Sequence, residues 1–171
     1  MFTYCLFCET VKCGFVAAEA ERILHCRAIR PKQVQHIWKK VDGIGRYVDI
    51  EHDLLPGYIF LYASEELEVR SMKALQGVIR ILETEPGVYA LSGPDEQFAL
   101  MLYQKDGVIG KTKVYQEGER IRIVDGTYQG LETEILKVNK RNMRMLIEIP
   151  FANMQVKTWV EYEMVASLSK S

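Results

Sequence analysis

No apolar run in the 171-residue chain approaches the ~20 residues that a bilayer-spanning helix needs, so no membrane segment is expected. The opening residues, MFTYCLFCET, lack the basic stretch that begins a secretory signal, and charged residues follow soon after. Neither sign of charge dominates: 22 Lys and Arg stand against 23 Asp and Glu, for a net charge of −1. Bulk electrostatics therefore give no reason to expect nucleic-acid or membrane binding, and any such role must rest on a local patch. Cysteine is scarce, with four residues and a single Cys-x-x-Cys pair at Cys5 and Cys8. That pair has zinc-like spacing, but an odd offset on a strand points the two thiols to opposite faces, and no second pair exists. Buried free thiols in a reducing cytoplasm are the expectation, with no metal and no cofactor. No glycine-rich phosphate loop follows a strand, and His25, His36 and His52 show no spacing to a nucleophile. An enzyme is not expected.

What is present is an ordinary globular composition, 48% hydrophobic and 26% charged, enough for one medium domain or two small ones. The first half mixes periods. FTYCLFCE alternates as a strand, with Tyr4, Leu6 and Cys8 on one face and Cys5 and Phe7 on the other. FVAAEAERILHCRAI has helical spacing and is expected to run to the Arg30-Pro31 stop. KQVQHIWKKV and RYVDIE flank the turn DGIG, a hairpin signal, with Val34, His36 and Trp38 facing away from Gln33, Gln35 and Ile37. A helix is expected from Ser64 as N-cap to Gly77 as stop, then the strand VIRILE, then a short helix from Pro94 to about Lys105. From KDGVIGKTKVYQEGE onward no helical pattern appears, and ERIRIV, ETEILKV, MRMLIEI and MQVKTWV read as strands split by Gly, Asn and Pro turns. The predicted organisation is an α+β domain over residues 1–106, an antiparallel sheet flanked by helices, a linker over 107–116, and a small all-β barrel over 117–171. A barrel of ~55 residues is marginal but feasible.

The stretch LLPGYIFLYA poses a sharper question. In a strand Tyr58, Phe60 and Tyr62 share one face and Ile59 and Leu61 the other, so both faces are apolar. Either the chain's own helices cover the aromatic face, as is usual for continuously apolar strands, or another protein does.

Three stretches in order resemble the NusG family of transcription factors, closest to its specialised paralogues of the LoaP and RfaH kind. YCLFCE before a helix resembles the family's first strand, and LLPGYIFL followed by GVIRIL resembles the middle of its N-terminal (NGN) domain. EGERIRIVDGTYQGLETEILKV resembles the KOW motif, with Gly118, Ile121, Ile123, Gly126, Tyr128 and Gly130 in place. The resemblance implies a cytoplasmic, monomeric elongation factor whose N-terminal domain docks on the clamp helices of the RNA polymerase β′ subunit, reaches toward the β subunit and suppresses pausing. It carries Tyr58 and Phe60 over as polymerase-binding residues, while Tyr62 stays open. Leu131 replaces the second aromatic that general members use toward a ribosomal protein or Rho, and the glycine expected near Thr133 is absent.

A second candidate surface is the run KVNKRNMR, which holds Lys137, Lys140, Arg141, Asn142 and Arg144 with no acid between Lys137 and Arg144. Asn139 and Asn142 mark a hairpin tip. Arg120 and Arg122 lie on a strand face opposite Ile121 and Ile123, and Lys111 and Lys113 lie upstream. Such a hairpin can follow phosphates or enter the groove of a structured RNA; a solvated loop is the plain alternative. The resemblance implies a nascent RNA hairpin as ligand, with non-template DNA as another recruitment route. Together these readings describe a processive antitermination factor. A general elongation factor and a ribosome-associated KOW protein are the alternatives.

Overall fold

The computed structural model describes residues 1–117, 120–125 and 134–165, with Glu117, Arg120 and Asp125 described by backbone alone. In chain order the elements are β1 (Phe2–Cys8), a 3-10 turn (Thr10–Lys12), α1 (Cys13–Leu24), β2 (Arg27–Ile29), β3 (Lys32–Val41), β4 (Ile44–Asp53), β5 (Tyr58–Ala63), α2 (Val69–Lys73), β6 (Val78–Ile81), α3 (Gly93–Gln104), β7 (Val108–Ile109), β8 (Thr112–Glu117), β9 (Arg120–Asp125), β10 (Glu134–Asn139), β11 (Arg144–Phe151) and β12 (Met154–Met164). They fall into two compact units. The first comprises Met1–Pro31, Leu55–Gly107 and Pro150–Gln155; the second comprises Lys32–Leu54, Val108–Ile149 and Val156–Ser171.

In the first unit, alternation in β1 and β5 builds a four-stranded sheet in the order β2-β5-β1-β6. The antiparallel register sets Leu6 opposite Ile59 and Cys5 opposite Phe60. Tyr4, Leu6, Cys8, Ile59, Leu61 and Ile81 form one core with Val16 and Ala20 of α1 and Met72 of α2. The opposite face carries Phe60 and Tyr62, and α3 lies over it: the Tyr62 hydroxyl donates to the Ala99 carbonyl at 2.7 Å, and Phe60 stands 5.9 Å from the Phe98 ring. The turn before β5 needs Gly57. Its φ of +91° is left-handed, and a Cβ there would come within 2.8 Å of Phe7.

Three sequence expectations are corrected. The first helix does not run to Ile29 but stops at Leu24, with His25 left-handed at φ 51°. Arg27–Ile29 instead pair with Tyr62–Phe60, because an unpaired edge of β5 offers backbone partners that one more helical turn cannot match. The helix expected from Ser64 to Gly77 contracts to Val69–Lys73. The Tyr4 hydroxyl accepts the Leu67 N–H at 3.0 Å and holds the preceding stretch out of the helix. Residues 107–116, read as a linker, contain β7 and most of β8; Thr112 and Val114 turn inward while Lys111 and Lys113 stay exposed.

The second unit joins two sheets. β3 and β4 form a hairpin with Trp38 opposite Tyr47 and His36 opposite Asp49. Its turn places Asp42 and Gly43 at φ 53° and 80°, the double left-handed geometry that Asp-Gly favours. This hairpin lies early in the sequence, yet its contacts assign it to the second unit. Gln33 Nε2 donates to the Trp159 carbonyl at 2.6 Å, and Thr158 Oγ1 donates to the Leu54 carbonyl at 2.7 Å. β7 adds to β3 in parallel. The other sheet has the order β10-β11-β12-β8-β9. In β11, Met145, Ile147 and Ile149 are buried at every second position, as a strand with one face in a core requires; Phe151, next in the alternation, belongs to the first unit.

Candidate nucleic-acid interface

The aromatic strand comes first, because the structure divides it. Phe60 is 0% exposed, packed between Phe98 and Phe151 at centroid distances of 5.9 and 5.4 Å. Tyr62 is equally inward. The sequence-based assignment of Phe60 as a contact residue is therefore corrected: its ring is core and supports the sheet from beneath. Tyr58 is half-buried at the end of the same face, 5.0 Å from the Phe7 ring. Burial raises its phenol above the ordinary value, with the Cys5 thiol adding to the effect and the Arg80 charge opposing it. Of the two proposed docking residues, only Tyr58 is partly exposed.

The basic run forms the β10–β11 hairpin, and its tip is ordered by a side chain: Asn139 Oδ1 accepts the Asn142 N–H at 3.1 Å. Met143 takes φ 50° to close the turn. Lys137, Lys140, Arg141 and Asn142 are exposed. Arg144 is half-buried, with its guanidinium 5.9 Å over the Trp159 ring. Arg122 is exposed on β9, while for Arg120 the description covers the backbone only. In the sheet order β11, β12 and β8 lie between β10 and β9. Arg120 and Arg122 are thus not sheet neighbours of the hairpin that the sequence reading set them beside. Gly118 and residues 126–133 of the KOW-like loop, Leu131 and Thr133 among them, lie outside the described residues.

The hairpin tip forms one wall of a groove of ≈ 580 Å³. Arg141, Asn142, Met143 and Arg144 line it together with Lys111, and across from them stand His36, Trp38 and Tyr47 of the β3–β4 hairpin. Trp38 is 61% and Tyr47 60% exposed. Sequence reasoning placed His36 and Trp38 on one face but attached no role to them. The usable signal was two large aromatics beside Lys39, Lys40 and Arg46 on one short hairpin.

His52, on the other face of β4, has both ring nitrogens buried without a hydrogen-bond partner among the described residues. Burial, and after it the charge of Arg144, hold its imidazole below the ordinary value. The folded unit then binds fewer protons here than the unfolded chain. The associated stability is complete above the ordinary histidine value of ~6.5 and is lost as pH falls through the window below it. Thermal denaturation followed by the fluorescence of Trp38 and Trp159 is expected to shift down between about pH 7 and pH 5. His52→Gln, which cannot titrate, is expected to flatten that slope.

All four cysteines are buried free thiols. Burial pushes Cys8 up to about 12 and Cys26 to about 11, and it raises Cys5 as well, which leaves little thiolate at neutral pH. Among the described residues no cluster of His, Cys, Asp or Glu is arranged to hold a metal, and no helix is long and apolar enough to cross a membrane.

These features define a class: an α+β unit with a covered aromatic strand, joined to a mostly β unit that carries a basic hairpin, in a NusG-like fold. Neither a protein-family model nor a curated protein matches the chain. Among solved structures, NusG of Thermotoga maritima, studied for the interaction of its domains, is similar with a TM-score of 0.56 and 12% identity, over 94% of this chain and 93% of that one. At that identity the likeness shows the fold.

Proposed function

We propose that the chain is a transcription elongation factor that binds RNA polymerase and promotes processive antitermination, recruited by structured nascent RNA. The observation that carries the reading is the NusG-like fold along 94% of the chain, in a family whose members act on polymerase rather than catalyse a reaction. In this reading residues 1–106 act as the NGN-like domain and 117–171 as the KOW domain. Tyr58 and its exposed neighbours contact the β′ clamp helices, with the β subunit on the far side of the cleft, and Phe60 keeps that surface in shape. The basic hairpin holds RNA: Lys137 and Lys140 follow phosphates, and Arg141, Asn142 and Arg144 reach base edges, each such contact discriminating by roughly 1–3 kcal/mol. Arg122 and Arg120 add positive charge at another edge of the sheet. Tethering the two contacts raises their effective concentration, so that two modest sites act as one tight site.

Support for the RNA contact comes from the groove, where the tip residues meet Lys111 beside exposed rings. Non-template DNA is the other ligand that fits cations and rings. Recruitment through it predicts binding to a transcription bubble without RNA. The test is co-elution of the monomeric chain with purified core polymerase, alone and with a transcribed leader. Failure to bind polymerase under both conditions contradicts the proposal.

A further inference from the structure

We propose that the β3–β4 hairpin is a base-stacking platform that holds an unpaired segment of RNA beside the duplex gripped by the basic hairpin. This rests on the reading that the second unit binds RNA, but a separate set of residues carries it. Trp38 and Tyr47 face each other across the hairpin, with their rings 5.0 Å apart at 71°. His36, on the same face, stacks on Tyr47 at 4.8 Å with planes 6° apart. Single exposed aromatics are common on protein surfaces and need no explanation. Here three adjoining rings stay uncovered on a hairpin whose base is fastened to β12.

The rings are also pre-positioned. The indole of Trp38 lies on the backbone of Gly45, so closely that a Cβ there would meet its six-membered ring at 2.3 Å. His36 Nδ1 lies 2.6 Å from Asp49 Oδ1, so the carboxylate accepts its hydrogen and fixes the ring plane. Rings held this way lose little freedom when a base stacks on them, and stacking tolerates any sequence because each base has a π face.

Charge selects the occupant. Lys40 shares the aromatic face, and Lys111 and Arg141 line the groove at its foot. Of the nearby carboxylates, Asp49 is held by His36, Glu51 lies 3.7 Å from Lys32 and Glu161 is 6% exposed, while Asp42 is exposed at the turn. Aromatic faces rimmed by cations match a strand that offers bases on one side and phosphates on the other. They match an apolar protein surface less well.

The test uses the full chain with Trp159→Phe. This keeps a ring beneath Arg144 and leaves Trp38 as the sole reporter of the two tryptophans. The probes are a blunt RNA stem-loop, the same stem-loop with an unpaired flank, and the flanked stem-loop made of DNA. The flanked RNA is expected to quench Trp38 and the blunt one to leave it bright. Trp38→Ala or Tyr47→Ala is expected to weaken binding of the flanked RNA about tenfold or more, with the blunt RNA within about twofold. Gly45→Ala, which keeps every side chain that could touch RNA but displaces the indole, should lose the quenching too. Quenching that survives charge reversal of Lys140 and Arg141 supports the platform even though the basic-hairpin reading then fails. Bright Trp38 with the flanked RNA bound overturns the platform and leaves the hairpin reading standing. Tighter binding of the DNA overturns the assignment to RNA. Quenching by core polymerase but by no RNA makes the face a protein contact, which also overturns it.

Discussion

Phe60→Ala is expected to unfold or nearly unfold the first unit, whereas Tyr58→Ala leaves it folded and removes polymerase binding. The two rings occupy the same phase of one strand, so any difference between them comes from what covers them. Phe60 is sealed between Phe98 and Phe151, and truncating so buried an aromatic costs about 3–5 kcal/mol, a large share of what a domain of this size has to lose. Tyr58 touches Phe7 and the Arg80 region at the margin of the sheet, where truncation leaves a dent open to water rather than a sealed cavity. Circular dichroism and chemical denaturation of the two single variants separate these effects. A destabilised Tyr58→Ala with polymerase affinity unchanged per folded molecule would remove Tyr58 from the docking surface. A fully stable Phe60→Ala would mean that the packing around that ring is wrong.

The second large effect belongs to the basic hairpin. Changing Lys137, Lys140 and Arg141 together to Glu is expected to lower affinity for a structured leader RNA by roughly a hundredfold at low salt, because each phosphate contact is both lost and replaced by repulsion. These positions are exposed, so the fold should be unaffected. Replacing Lys137 and Lys140, the two phosphate contacts, by Ala should flatten the dependence of log affinity on log salt by about 1.5–2. Arg144 is left out of the triple change because it packs over Trp159 and lies near His52, where reversal would mix binding with stability. Binding of core polymerase should survive, since Tyr58 lies in the other unit. An unchanged RNA affinity would reduce the hairpin to a solvated loop and shift recruitment to the first unit.

The contrast between Tyr58 and Phe60 also marks where sequence stops informing. Period-2 alternation made β11 readable, because a strand with one face in a core must repeat at every second residue, and β1 and β5 were readable as short runs rich in β-formers. Asp42-Gly43 announced its hairpin, because few other residues accept two left-handed positions in succession. What failed depended on partners distant in sequence. α1 stops early because β5 has an edge to be filled by Arg27–Ile29. Residues 112–117 are a strand because β9 and β12 flank them, although lysine and threonine there look like a linker. The arginines of β9 were grouped with the β10–β11 hairpin by closeness in sequence, and only the strand order separates them. The phase of Trp38 and His36 was legible, but their exposure was not, because it depends on how the described residues distant in sequence pack around them.

The central claim is that this chain makes polymerase resist termination when the right RNA has been transcribed. Single-round transcription with purified bacterial polymerase through an intrinsic terminator, on templates with and without a leader that forms the bound RNA structure, tests it most directly. The account predicts that adding the protein raises readthrough several-fold on the leader template, that Tyr58→Ala abolishes the gain on any template, and that the Lys137, Lys140 and Arg141 reversal abolishes it on the leader template. Equal readthrough with and without the protein on both templates, under conditions where the protein is bound to polymerase, would contradict it.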